Sequence, residues 1–162
     1  SVVLEIAQII YTNLLNKWIY LMTKRFFHVI VLSLVCICTP VSFANENALS
    51  QALTPNVSVT GQMTAEKFQK LIQQGFKSVI VNRPDQEAGN MTSASELREI
   101  AEQAKLSLIY QPVISGQISK QDVQEFAKYY NSLPKPILLV CKSGNRSKVL
   151  FNQAQSLGLI DE

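Results

Sequence analysis

The chain has 162 residues, 47% of them apolar and 17% charged, with 15 basic against 12 acidic side chains and a net charge of +3. That composition supplies a hydrophobic core and excludes a disordered chain, while so small a basic surplus does not point to a nucleic-acid partner. Three Cys exclude a disulfide-dense scaffold, and six Gly with six Pro exclude collagen-like and low-complexity chains.

Residues 1–44 differ from the rest. Lys24 and Arg25 follow Met22, then comes an apolar run over 26–39, then Pro40, and Ser42 and Ala44 stand three and one residues before a cleavage point. This is the order of a secretory signal. The run of 14 residues is short of the roughly 20 that a membrane-spanning helix needs. Cys36 and Cys38 follow Val35 and Ile37, not the small residue of a lipoprotein signal. We read 1–21 as an extension upstream of Met22, 22–44 as the signal peptide, 45–56 as a polar lead-in and 57–162 as the functional domain. Export to the periplasm is expected. The alternative is an uncleaved membrane anchor with the domain outside the cytoplasm.

Cleavage after Ala44 changes the inventory. His28, the one histidine of the chain, and two of its three cysteines lie before the cut, leaving Cys141 alone. Residues 45–162 therefore hold no Ser-His-Asp triad, Cys-His pair or histidine metal site, and neither metal nor cofactor is expected. No disulfide forms within the mature chain. Its charge nearly balances, with twelve basic and eleven acidic side chains, but Lys142, Arg146 and Lys148 cluster.

Strand and helix signals then alternate. A short strand over 57–60 ends at Gly61. Thr64 caps a helix over 65–74, with Phe68, Leu71 and Ile72 on one face and Gly75 as its stop. A buried-type strand over 78–82 runs into a loop over 83–90. Ser93 with Glu96 forms a capping box before a helix carrying Leu97, Ile100 and Ala101. A third strand spans 106–113. Ser119 with Asp122 opens a helix whose Val123, Phe126, Ala127 and Tyr130 share a face, and Pro134 and Pro136 end it. The apolar run 137–140 is a strand buried on both sides, and a last helix follows from about Ser147. The pattern predicts an α/β fold with a mostly parallel sheet of four to five strands flanked by helices. In such folds the active crevice lies beyond the carboxyl ends of the strands. That rule brings forward two loops, 83–90 and 141–146.

The second loop carries the chemistry: Cys141-Lys142-Ser143-Gly144-Asn145-Arg146-Ser147. A turn from a buried strand into a helix gathers backbone N–H groups and adds the helix dipole, which makes an anion cradle. The same N–H dipoles, with Lys142 and Arg146, favour the charged form of a cysteine at the cradle's base. Gly144 permits the turn, and Arg146 offers a planar fork to two oxygens of a phosphate or sulfur oxyanion. Ser143 and Asn145 complete the loop, and Ser147 is placed to donate its hydroxyl to the sulfur or to cap the helix. Against this, a lone cysteine ending a buried strand is often just a small core residue. The combination of Cys, Gly and Arg at this spacing favours a functional thiol. Asp85 as an acid and Arg83 as a substrate contact rest only on the end of the sheet they occupy, since Arg83-Pro84-Asp85 is also an ordinary turn.

The span from about 57 to 157 resembles the phosphatase-like domain of the beta-lactamase hydrolase-like proteins. The resemblance rests on Gly61-Gln62-Met63-Thr64, Val81-Asn82-Arg83-Pro84-Asp85, Pro112-Val113 and the Cys141 loop. It implies a tyrosine- or dual-specificity-phosphatase-like fold. The loop is also similar to that of single-domain rhodaneses, since four residues separate Cys141 from Arg146 where tyrosine phosphatases have five. Val140 stands where those phosphatases usually have histidine. The loop after the third strand, Ile114-Ser115-Gly116-Gln117, lacks the acid that dual-specificity enzymes carry there. These departures lean the expectation toward sulfane-sulfur transfer through a Cys141 persulfide. Phosphoester hydrolysis through a cysteinyl-phosphate is the alternative, and a non-catalytic anion- or partner-binding module the third. In every case the partner is a small anion, thiosulfate or persulfide in the first and a phosphoester in the second.

Overall fold

The structure is a computed structural model that describes residues 2–34 and 48–161. The chain separates into two units, 1–44 and 45–162. In the first, α1 (Val2–Leu34) is a single helix whose side chains over 3–23 are all exposed, Trp18 and Tyr20 among them. No described helix is long and apolar enough to cross a membrane. The expected cleavage site at Ser42 and Ala44, with Cys36 and Cys38, lies outside the described residues.

The second unit runs β1 (Gln51–Thr54), β2 (Val57–Thr60), α2 (Ala65–Ile72), β3 (Ser78–Val81), α3 (Ala94–Gln103), β4 (Ser107–Tyr110), α4 (Lys120–Ser132), β5 (Ile137–Val140) and α5 (Asn145–Ser156). It is the expected α/β fold, with five strands ordered β1-β2-β5-β3-β4. The last four are mutually parallel, and β1 runs antiparallel to β2. The chain passes from β2 through α2 to β3 and leaves a slot between them, which β5 fills from the far end of the sequence. Flanked on both edges and both faces, β5 is continuously apolar, as a central parallel strand must be. Ile137 and Leu139 face a cluster with Val123 and Phe126 of α4 and Leu150 and Phe151 of α5. Leu138 and Val140 face Phe68 and Leu71 of α2 and Leu97 and Ala101 of α3. Each such fully buried side chain contributes about 1.5–3 kcal/mol.

Sequence signals and structure differ in several places: α2 ends at Ile72 rather than 74 and β3 at Val81 rather than 82, and three larger differences follow. The stretch read as a lead-in contains β1, turned back onto β2 at Pro55-Asn56. As an edge strand with Gln51 and Ala52 exposed, it lacks the buried alternation that marks a strand. β4 stops at Tyr110 rather than reaching Val113, because Pro112 has no N–H for the ladder. Gln111 and Val113 nonetheless donate to Val81 O and Asn82 O at 2.9 and 3.0 Å. Finally, α5 starts at Asn145, two residues before the expected Ser147, with Gly144 as its N-cap. The caps read at Thr64, Ser93–Glu96 and Ser119–Asp122 all form.

Candidate functional site

Because β5 is central, the chain leaving Val140 emerges in the middle of the sheet's carboxyl edge. The loop after β2 flanks it on one side and the loop after β3 on the other. Cys141 N donates to Thr60 O at 3.2 Å, the last rung of the ladder, and Gln62 N donates to Lys142 O at 2.9 Å. Gly61 forms an isolated bridge with Ser143. A Cβ on Gly61 would sit 3.1 Å from both Lys142 O and Ser143 Cα, so only glycine lets the end of β2 come this close. Gly144, at φ +91°, turns the loop into α5, a conformation that a side chain would strain.

The turn delivers Gly144 N–H to the Cys141 sulfur at 3.1 Å. Cys141 is buried, 1% exposed, at the positive end of α5. The loop has two sides: Lys142, Ser143 and Asn145 are exposed, while Cys141, Gly144, Arg146 and Ser147 are buried. Ser143 Oγ accepts from Asn145 N at 3.4 Å.

Arg146 is 6% exposed and held on two of its three nitrogens. Nη1 donates to Asn82 O at 3.1 Å and Nη2 to Glu87 Oε2 at 2.6 Å. Nε is buried with no partner. A buried N–H without an acceptor costs about 1–3 kcal/mol, so this donor is one that an incoming oxyanion would satisfy. The structure corrects the expectation for Ser147: its hydroxyl donates to Asn82 Oδ1 at 2.8 Å, and so neither reaches the sulfur nor caps the helix. Asn82 is fully buried. Its Nδ2 donates to Gln111 O at 3.2 Å, and its carbonyl receives both Arg146 and Val113.

The loop over 83–90 is tied to the cysteine loop through residues that sequence reasoning only partly found. Glu87 was missed. Its carboxylate lies between two guanidiniums, with Oε2 on Arg146 and Oε1 3.1 Å from Arg83 Nε. Its lone signal was membership of that loop. Arg83, expected as a substrate contact, is buried and organises the loop. Nη2 donates to Ala88 O at 3.0 Å, and Nη1 donates to Gln62 Oε1. Gln62 Nε2 in turn donates to Gly89 O at 2.8 Å. Lys67, whose pKa burial lowers, donates to Gln62 O at 3.0 Å. Asp85, expected as an acid, takes a different place: its Oδ1 accepts from Ala94 N at 2.8 Å, at the start of α3. Its own N–H donates to the Tyr110 hydroxyl at 2.9 Å. Among the described residues, no three His, Cys, Asp or Glu side chains group as metal ligands would.

A buried cysteine under a helix N-terminus, followed by an arginine with a spare donor, places a thiol beside groups that can bind an oxyanion. Residues 50–158 match the family described as "Beta-lactamase hydrolase-like protein, phosphatase-like domain". The chain belongs to this family. Among curated relatives, the beta-lactamase hydrolase-like protein of Xylella fastidiosa is 28% identical over 99 residues, 61% of this chain. The chain spans 23% of the length of that relative. Among solved structures, a candidate phosphatase from Neisseria meningitidis is 27% identical, with a TM-score of 0.60 over 65% of this chain and 75% of that one. The core catalytic domain of the PP-IP phosphatase SIW14 of S. cerevisiae shares the fold, at 17% identity and a TM-score of 0.55, over 68% of this chain and 66% of that one. This chain thus carries an α/β phosphatase-like domain with a single cysteine in the loop that follows β5.

Proposed function

We propose that the domain hydrolyses phosphate esters through a cysteinyl-phosphate on Cys141. The observation that carries this is the buried Nε–H of Arg146, left without an acceptor five residues after the cysteine. Family membership supports phosphate over sulfur as its target. In the first step the Cys141 sulfur attacks phosphorus, the S–P bond forms and the bond to the leaving oxygen breaks. Loop N–H groups and Arg146 stabilise charge on the phosphoryl oxygens. In the second step water attacks phosphorus, the S–P bond breaks, and phosphate and the thiolate are released. The S. cerevisiae phosphatase domain of the same fold was crystallised in complex with citrate, a small polyanion. The signal-like order of residues 22–44 supports action in the periplasm.

Sulfur transfer through a Cys141 persulfide retains one specific observation, the four-residue spacing between Cys141 and Arg146. One experiment separates the two readings. The full chain is incubated with 4-nitrophenyl phosphate or with thiosulfate, and product and intact mass are measured. Phosphate release by the wild type, abolished in Cys141→Ser with folding unchanged by circular dichroism, is expected. A mass gain of one sulfur, removed by cyanide and unaccompanied by hydrolysis, would establish sulfur transfer instead. Silence with both reagents would leave an anion-binding module.

A further inference from the structure

β3 runs Ser78-Val79-Ile80-Val81 and is followed by Asn82, an amide as deeply buried as the apolar side chains before it. Burying an amide is unfavourable unless its polar atoms find partners, and an apolar residue carries no such requirement. Every polar atom of Asn82 has a partner. Its N–H donates to Val140 O at 2.8 Å, beyond the last residue of β3. Its carbonyl accepts from Val113 N at 3.0 Å and from Arg146 Nη1 at 3.1 Å. Nδ2 donates to Gln111 O at 3.2 Å and to Gln111 Oε1 at 3.4 Å, and Oδ1 accepts from Ser147 Oγ at 2.8 Å. Gln111 is buried too, and its Nε2 donates to Asp122 O at 2.9 Å in the first turn of α4.

Two of these partners, Arg146 and Ser147, are consecutive residues in the first turn of α5. That helix lacks what the others have. The first turns of α2, α3 and α4 are held by the side chains of Thr64, Ser93 and Ser119. The N-cap of α5 is Gly144, which makes no side-chain bond. A helix start without a side-chain cap is less firmly fixed, and one that aims a guanidinium at a ligand must be held by other means. Here the hold comes from the side. Ser147 is bonded to the amide of Asn82, and Arg146 to the carbonyl of the same residue.

Resting on the reading of the Cys141 loop as an oxyanion site, we infer that Asn82 is a positioning residue. It fixes the first turn of α5 and, with it, the direction in which the Arg146 Nε–H points. It acts through Arg146 rather than on the substrate. Without the amide, the Ser147 hydroxyl and the Gln111 carbonyl each lose a partner. The carbonyl that anchors Nη1 then loses its tie to Gln111, and the arginine can turn from its resting direction.

The test is a double-mutant cycle on the full chain. kcat/KM for 4-nitrophenyl phosphate, binding of inorganic phosphate by calorimetry and a urea melt are measured for each variant. Asn82→Ala should lower kcat/KM by about 10²-fold, the effect of a displacement near 1 Å at a reacting group, and weaken phosphate binding. Added to Arg146→Lys, the same change should lower kcat/KM little further, because the arginine that it positions is already gone. Ser78→Ala supplies the comparison. That hydroxyl is equally buried at the opposite end of β3, where it donates to Pro134 O at 2.8 Å. Its loss should shift the urea midpoint and leave kcat/KM and phosphate binding at wild-type values. If Asn82→Ala does not fold, Ser147→Ala removes one hydroxyl from the same contact and takes its place in the cycle. Losses that multiply in the double variant would overturn the inference and leave the phosphatase reading standing. So would a folded Asn82→Ala with wild-type kcat/KM and phosphate binding. A wild-type chain that neither hydrolyses the ester nor binds phosphate would overturn the reading of the loop itself.

Discussion

Arg146 illustrates how one side chain is divided between structure and chemistry. Two nitrogens are anchored, by a backbone carbonyl and by Glu87, and the third is unspent. The planar fork makes this division feasible, because the anchors fix the direction of Nε–H before any ligand arrives. A lysine has one nitrogen and cannot meet Asn82 O, meet Glu87 and offer a directed donor together. Arg146→Lys should therefore lower kcat/KM on an aryl phosphate by about 10²–10³, the cost of one preorganised donor in a charge-stabilising site. Inhibition by inorganic phosphate should weaken in parallel. Stability should fall by about 1–3 kcal/mol, since a partner of Asn82 or Glu87 is lost. Unchanged phosphate inhibition, measured beside a urea melt, would show that the fork does not touch the anion.

At the scale of elements, the site is a joint between three loops, and its geometry depends on close backbone approach. Gly61 is where the end of β2 meets the cysteine loop. Gly61→Ala places a methyl 3.1 Å from Lys142 O and Ser143 Cα, both backbone atoms that cannot swing aside. The loop must shift, and a displacement near 1 Å costs about 10²-fold in rate. The expected result is a loss of that size in kcat/KM with a modest overpacking cost of about 1–3 kcal/mol. Asp85 belongs to the same joint but serves α3. Asp85→Asn keeps an oxygen acceptor for Ala94 N and removes only the negative charge near the helix N-terminus, a loss of about 0.3–1 kcal/mol. Aryl phosphate hydrolysis should persist at close to the wild-type rate. A fall of about 10²–10⁴ would restore Asp85 as the acid. The legible and illegible parts of the fold divide along this joint. Helix faces, capping boxes and the Cys141–Arg146 loop could be read because each depends on residues a few positions apart. Glu87 on Arg146, Ser147 on Asn82 and Gly61 against Ser143 join residues 59, 65 and 82 positions apart. They exist only because β5 inserts between β2 and β3, which no local pattern encodes.

At the scale of the whole molecule, both hydrophobic clusters and every residue of the site fall within 48–161. A segment ordered as basic start, apolar run and small-residue end is suited to a transient task, with export the one its pattern matches. The bond after Ala44 is the expected cut, and under the export proposal it leaves Cys141 as the one thiol of the mature chain. Burial at 1% exposure shields that thiol from pairing with another. When the full chain is expressed in a bacterium with a secretory pathway, the periplasmic fraction should therefore contain a product whose N-terminal sequence starts Asn45-Glu46-Asn47. It should hydrolyse aryl phosphate without added reductant. Recovery of the activity only from the membrane fraction, with residues 22–44 still attached, would identify the segment as an anchor. A product found only in the cytoplasm and keeping the segment would remove export altogether.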